Sequence, residues 1–306
     1  MSQVTQVAQV TSAVKLALKS AMKLALQPSI KSLNSTQFVS VLTLFLLFFF
    51  TSSALAKPQR IISLAPHITE LLYTIGAGEN LVGVSDYSDY PEQALNLPRV
   101  ASYASINLEA IIALKPDLII AWQQGNAAAD IKRLRQFGFT VEMSSPVKLD
   151  DIANELIQLG QLTGYTEQAE SKARDFKQQL TALRQKYQQS KPLRVFFTMS
   201  TNPLSSVANN AWPQQMLTVC AAENIIKPSA GDYPLVGIEQ VVIAQPEVII
   251  QADKTGVKQE YWLNYRQIPA VEKQQFLAID PDYLFRMTPR TLLGIKQLCQ
   301  GLDVYR

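Results

Sequence analysis

Two fifteen-residue strings in this chain are variants of one another. Residues 107–121 read NLEAIIALKPDLIIA and residues 237–251 read GIEQVVIAQPEVIIQ. At a constant offset of 130 positions, Glu109 matches Glu239, Pro116 matches Pro246, and Asp117 is answered by Glu247. In each copy a glutamate opens a helical run, the run stops before the proline, and an apolar β-branched strand follows. Any strand–helix–strand unit has some of this character. Three coincident positions with shared apolar runs favour two related lobes, each built on parallel strands.

The rest of the chain keeps the alternation. Strands are predicted at Arg60–Leu64, 81–84, Asp117–Trp122, Thr140–Met143, Leu193–Met199, Val248–Gln251 and Phe276–Ile279. Helices are predicted from His67 to the glycines Gly76 and Gly78, and over Asn107–Leu114, Ala127–Phe137, Leu149–Leu162, Trp212–Ala222, Ile238–Ala244 and Pro289–Leu302. Strands alternating with helices imply a mostly parallel sheet with helices on its faces. One stretch differs. From Glu167 to about Gln189, Ala169, Ala173, Phe176, Leu180, Leu183 and Tyr187 recur at three- and four-residue steps in an otherwise polar sequence. That predicts one long amphipathic helix. A coiled-coil partner is the alternative, but about three heptads favour a strut joining two lobes. The expected organisation is an α/β lobe over 57–163, a linker helix over 164–190 and a second α/β lobe over 191–306.

Residues 1–56 read as an address. Phe38–Phe50 is apolar apart from Ser40 and Thr43, and Ala54-Leu55-Ala56 fits the small-x-small rule for cleavage before Lys57. The run is short for a membrane span, which needs about 20 residues; an uncleaved anchor is the alternative. The region before it is long for a signal peptide, and Met22 begins a more ordinary one. With no cysteine near the cleavage site to carry a lipid, the expected product is a soluble periplasmic protein starting at Lys57.

The leader also explains the charge. Four of the 28 basic residues and none of the 25 acidic ones lie in residues 1–56, so the formal net charge of +3 belongs to the leader. The remainder carries 24 basic against 25 acidic groups, which gives no case for a nucleic-acid partner. The single histidine, His67, and two cysteines exclude the usual transition-metal site. No G-x-x-x-x-G-K-[ST], G-x-G-x-x-G or G-x-S-x-G string occurs. Cys220 and Cys299, in an oxidising compartment, are expected to bridge the last helix to an earlier helix of the same half, two buried free thiols being the alternative.

Two lobes joined by one helix suggest a ligand cleft between them. The loops expected to face it are aromatic: Tyr87 and Tyr90 in SDYSDYP, Tyr103 in ASYAS, Trp122 at the end of DLIIAW, and Tyr233 in GDYPLV. Each alone reads as ordinary packing. As a set at strand ends and in loops, they read as a binding surface.

With these strings in view, the mature chain resembles the BtuF-type periplasmic cobalamin-binding proteins, which deliver the vitamin to an ABC importer. The resemblance covers about residues 58–306. It rests on RIISLAPHITELLYTIGA, VGVSDYSDYP, NLEAIIALKPDLIIAW, CAAENI, YPLVGIEQVV and TPRTLLGIKQLC. It implies that the protein is not an enzyme and has no cofactor, cobalamin being its transported ligand. It implies an inner-membrane partner of two permease and two ATPase subunits. It implies that Tyr87, Tyr103, Trp122 and Tyr233 line the corrin cleft, with Asp282 and Arg286 on the second-lobe side. It implies that Glu109 and Glu239, one per lobe, dock into permease arginines, whereas the residues alone read as helix N-terminal acids. The chain departs from the family at Tyr103 and Tyr233, where tryptophan is common, and at Leu204-Ser205, where a cleft aromatic is expected. His67, after the first strand, stands where a small residue is usual. Axial ligation of the cobalt by His67 is one reading, a capping or solvated histidine the other. A ferric siderophore or haem as ligand, and an exported hydrolase using His67 with Glu70, are the competing functions.

Overall fold

The β-branched runs become inner strands of two sheets. The computed structural model describes residues 57–306; the leader, its cleavage site and the alternative start at Met22 lie outside the described residues. The first half runs β1 (Ile61–Ser63), α1 (Pro66–Thr74), β2 (Leu81–Ser85), β3 (Arg99–Ala101), α2 (Leu108–Leu114), β4 (Leu118–Trp122), α3 (Ala128–Gln136), β5 (Val141–Ser144) and α4 (Asp151–Thr163). Its sheet has the order β3-β2-β1-β4-β5, with every pairing parallel. Then α5 (Thr166–Tyr187) leads to β6 (Leu193–Thr201), β7 (Leu204–Ser206), α6 (Trp212–Val219), β8 (Ala222–Asn224), α7 (Ile238–Ala244), β9 (Val248–Ala252), α8 (Gln259–Trp262), α9 (Pro269–Glu272), β10 (Phe276–Ile279), α10 (Pro281–Phe285) and α11 (Thr291–Asp303). The second sheet has the order β10-β9-β6-β7 with β8 also paired to β6; only β7 is antiparallel.

The repeat folds twice into one hydrogen-bonded unit. Helices α2 and α7 stand 130 positions apart at both ends, as do strands β4 and β9. Each helix ends on a left-handed residue, Lys115 at φ 46° and Gln245 at φ 49°. Asp117 Oδ2 accepts the amides of Gln59 and Arg60, and Glu247 Oε2 accepts that of Arg194. Arg60 donates in turn to Leu114 O at the end of α2, and Arg194 to Ala244 O at the end of α7. The matched acids therefore tie each helix–strand turn to the first strand of its own sheet.

Both sheets are covered on both faces, which is why their strands read as near-continuous apolar runs. Ile61 and Ile62 point into different clusters, as do Phe197 and Phe196, following the two-residue period of a strand. The largest cluster extends from Ile61 and Leu71 through Phe176 and Leu180 to Val195 and Leu298. The six residues that mark the amphipathic face of α5 are the six it buries. At 22 residues this helix is ~33 Å long, and it packs on α4 of the first half and on α11 and α6 of the second. Its apolar face belongs to the shared core. Gly164, at φ 74°, ends α4 in the left-handed conformation that lets the chain turn into α5.

Cys220 and Cys299 form a disulfide with Cα atoms 4.8 Å apart, joining the end of α6 to α11. The helix expected over 212–222 is shorter than its composition implies. It stops at Val219 because Ala221 takes φ 50° and residues 222–224 pair with β6. Strands β3, β7 and β8 have three residues each and carry no periodicity of their own; tertiary pairing creates them.

Candidate functional site between the sheet edges

In a parallel sheet all strands end at the same edge, and the loops there form the usual ligand crevice. His67 follows β1, Tyr87 and Tyr90 follow β2, Tyr103 follows β3, and Trp122 ends β4. In the second half Lys254 follows β9, and Asp282, Arg286 and Arg290 follow β10. These edges face each other, because side chains from one reach the other. Arg286 Nη1 donates to Glu70 Oε1 at 2.9 Å and to Asp89 Oδ1 at 2.6 Å. Arg290 donates from Nε to Glu70 Oε2 at 2.9 Å and from Nη2 to Oε1 at 2.5 Å. Its guanidinium lies 3.8 Å from the centroid of the Tyr90 ring. Arg286 Nη2 is also 3.1 Å from Asp282 Oδ1, while Asp282 Oδ2 accepts from Lys254 Nζ at 2.5 Å.

The tyrosines are held out from this floor by their loops. Ser63, Thr69, Ser85 and Ser88 form a buried chain of hydroxyl contacts of 2.9–3.2 Å, and Arg99 Nη1 donates to the carbonyls of Ser85 and Ser88. Between Asp86 and Ser88 the chain turns through Tyr87, whose φ of 61° is unusual for a bulky residue. Tyr87 is 75% exposed. Tyr103 sits on a tight turn in which the Ser102 hydroxyl accepts the amides of Ala104 and Ser105, and it is 92% exposed. Tyr233 is 53% exposed in a strap that bonds along β7, with Ser206 N donating to Pro234 O and Val236 N to Leu204 O. Tyr103 and Tyr233 also obey the 130-position offset, so the repeat extends to the aromatic loops.

Trp122 is half-buried and fixed. Asn126 Oδ1 accepts the Trp122 amide, and its Nδ2 donates to Leu64 O. A Cβ on Gly125 would fall 1.8 Å from the indole ring, so only glycine lets the ring lie flat on this turn. The indole meets the His67 ring edge-on at 5.3 Å. His67 lies in the first turn of α1, buried, with Nε2 3.3 Å from Ser144 Oγ. It is thus no solvated loop histidine. Burial lowers its pKa to about 3, which keeps the imidazole neutral. Nearby, Glu155 Oε1 accepts the Ser145 amide at 3.1 Å, and burial raises its carboxyl against the opposing pull of Ser144 and Ser145. Trp122, His67 and Ser144 thus form a row that runs inward from the half-buried indole. The polar side-chain partner of the imidazole is this serine and not a carboxylate, so no acid orients the histidine as hydrolytic triads require.

The sequence-predicted residues divide accordingly. Tyr87, Tyr103 and Trp122 share one edge, and Asp282 and Arg286 share the facing one. Arg286, expected as a polar residue on the second-lobe side, is paired with Glu70, Asp89 and Asp282. Burial disfavours its charge, but the carboxylates of Asp89 and Glu70 outweigh this and raise its pKa further. Glu109 and Glu239 are exposed in the first turns of α2 and α7. Sequence reasoning names neither Asp89 nor Arg290, and it names Glu70 only as a partner for His67 in the hydrolase reading, whereas Glu70 is held by the two arginines. No local pattern marks them, since Glu70 and Arg290 are 220 positions apart and meet only through the fold.

Residues 61–283 match the model of the periplasmic binding protein family. A vitamin B12-binding protein of Vibrio cholerae is 43% identical over 260 residues, 84% of this chain and 94% of its own. One of Pectobacterium atrosepticum is 40% identical over 82% of this chain and 91% of its own. The crystal structure of the V. cholerae vitamin B12-binding protein BtuF superposes with a TM-score of 0.75 at 42% identity, covering 81% of this chain and 98% of that one. The haem-binding protein HutB of V. cholerae gives a TM-score of 0.71 at 23% identity, a likeness of fold alone. Two mostly parallel sheets meeting at their carboxyl edges, one helix packed against helices of both halves, and a family match that runs through them make this chain a member of the periplasmic binding protein family.

Proposed function

We propose that the protein captures cobalamin between its two lobes in the periplasm and delivers it to an inner-membrane ABC importer. One observation carries this: the sequence is 43% identical, over nearly the whole mature chain, to a vitamin B12-binding protein, and the loops at its facing sheet edges present tyrosines outward. Exposed Tyr87, Tyr103 and Tyr233 with the fixed Trp122 offer large apolar surface at low rotamer cost, suited to a flat macrocycle bearing amide side chains. Asp282 and Arg286 supply polar contacts from the other side. Lobe boundaries at 57–163, 164–190 and 191–306 belong to the same reading. Glu109 and Glu239, matched carboxylates on related helices, would meet a two-fold symmetric permease with equivalent surfaces.

The floor of the cleft argues against a ferric siderophore or haem. Arg286 and Arg290 stand together, but Glu70, Asp89 and Asp282 neutralise them, leaving no free cationic cluster for an anionic ligand. For His67 to ligate cobalt, its Nε2 would have to leave Ser144 and the ring emerge from behind Trp122. Its burial supports a supporting role under the aromatic wall. Nothing in the geometry favours hydrolysis. Among the described residues no helix is long and apolar enough to cross a membrane, in keeping with a chain that acts outside the bilayer. The test is titration of residues 57–306 with cyanocobalamin by calorimetry and visible spectroscopy. Saturable one-to-one binding below micromolar concentration is expected. Absence of binding, with haem or a ferric siderophore bound instead, would overturn the reading.

A further inference from the structure

The arginines at the floor of the cleft come from one lobe and their carboxylate from the other. Glu70 lies on the second turn of α1 and is 2% exposed, yet all its strong partners are Arg286 and Arg290, more than 200 positions away. Arg290 grips both its oxygens through Nε and Nη2, the bidentate geometry that fixes a guanidinium in orientation as well as in place. Arg286 adds a third bond to Oε1 and extends to Asp89, which neighbours Tyr90. Arg290 stacks on Tyr90 itself. The second-lobe side of this contact is rigid: Arg290 immediately precedes α11, which is buried along one face and bonded to Cys220 through Cys299. On the first-lobe side the contact ends on α1 and on the Asp89-Tyr90 loop, which carries part of the exposed aromatic wall.

We propose that Glu70 is a positioning residue for ligand binding: it locks Arg286 and Arg290 across the cleft and thereby sets the separation of the lobes and the pose of the 86–91 loop before ligand arrives. Glu70 is itself too buried to touch a ligand. Its effect is pre-organisation, since a cleft already at the right width and a tyrosine loop already in place do not have to be ordered on binding. Shallow contacts of Arg286 with Asp89 and Asp282 line the cleft, while the deeper Glu70–Arg290 pair holds the frame. The inference rests on the proposed ligand site but concerns a feature present without ligand.

Two kinds of measurement test it on residues 57–306. The first needs no ligand. In Glu70→Gln, hydrogen exchange at amides 86–91 and 283–291 should accelerate at least tenfold, and spin-label distances between the lobes should broaden. The second is cyanocobalamin binding by stopped flow at a temperature well below the melting point of each variant. Affinity should fall about tenfold, with much of the loss in the association rate. A residue that merely stabilised the fold would lower the melting point and leave both readouts of the folded protein unchanged. Because Glu70→Gln leaves the largely buried Arg290 without its carboxylate and so threatens folding, Arg290→Lys serves as the second variant. It keeps the charge and loses the fork and the stacking, and should show the same changes at roughly threefold size. Unchanged exchange and distances in a folded variant, with affinity within twofold of wild type, would overturn the proposal. If the wild type fails to bind cobalamin, the ligand reading falls, and the exchange and distance measurements still decide the role of Glu70.

Discussion

Reducing the disulfide should destabilise the protein by an amount set by the loop it closes. Cys220 and Cys299 are 79 positions apart. In the chain-entropy treatment, opening a loop of that length returns to the unfolded state about 4.5 kcal/mol of conformational freedom at room temperature. For a chain of this size, 1 kcal/mol corresponds to ~2–4 °C, so the melting temperature should fall by about 10–15 °C. Little of that change should come from the folded state. Both sulfurs are buried, and the ends they join are held independently: Arg306 donates to Cys220 O and pairs with Asp303, and its Nε donates to Lys191 O at 2.9 Å. The assay is guanidinium and thermal unfolding of residues 57–306 with and without reductant, alongside Cys220→Ala/Cys299→Ala. The unfolded reduced chain is more expanded, so the denaturant slope should rise as the midpoint falls. A loss of less than ~3 °C, or native hydrogen exchange that accelerates along α11 on reduction, would refute the argument, because the bridge would then act on the folded state.

Buried neutral His67 gives a signed pH dependence. Its folded pKa of about 3 lies below the unfolded 6.5, so its contribution is complete above pH 6.5 and is lost as pH falls toward 3. Between pH 7 and 5 this amounts to about 2 kcal/mol, and His67→Gln should remove that part of the acid sensitivity in urea titrations. An unchanged slope would mean that the ring is solvated. Gly125→Ala should push the Trp122 indole off its turn, weakening cyanocobalamin binding by about tenfold (~1.4 kcal/mol) with a shifted tryptophan emission; unaltered binding would show that this ring is not part of the surface. Tyr103→Ala and Tyr233→Ala, which remove largely exposed rings, should each cost about 1–2 kcal/mol of binding while leaving stability within ~0.5 kcal/mol. Loss of stability without loss of affinity would return both to packing roles.

Much of the architecture is legible in one dimension because its causes are local. The offset of 130 positions predicts α2 with β4 and α7 with β9. The reason is that a helix, a left-handed stop before proline and a buried strand are all written within fifteen residues. The face of α5 is legible for the same reason, since burial at three- and four-residue steps follows from helix geometry alone. The disulfide is legible as soon as export leaves two cysteines with only each other. The aromatic loops could be found only as a set, because each ring alone reads as ordinary packing and it is their shared place at strand ends that marks a surface. What they face could not.

Tertiary structure decided the rest. Residues 222–224 are a strand because β6 offers them a ladder, against the helical tendency of the run they end. His67, which looks accessible when read after a strand, is turned behind Trp122 by the first turn of α1 and desolvated there. Arg286 is held by three carboxylates, of which only Asp282, four positions away, is connected to it by a spacing rule. Glu70 reads as one more polar position in an amphipathic helix. It becomes the centre of the cleft floor only because two sheets meet at their carboxyl edges. Periodicity along a chain records which face of an element is buried; it carries no record of which distant element does the burying.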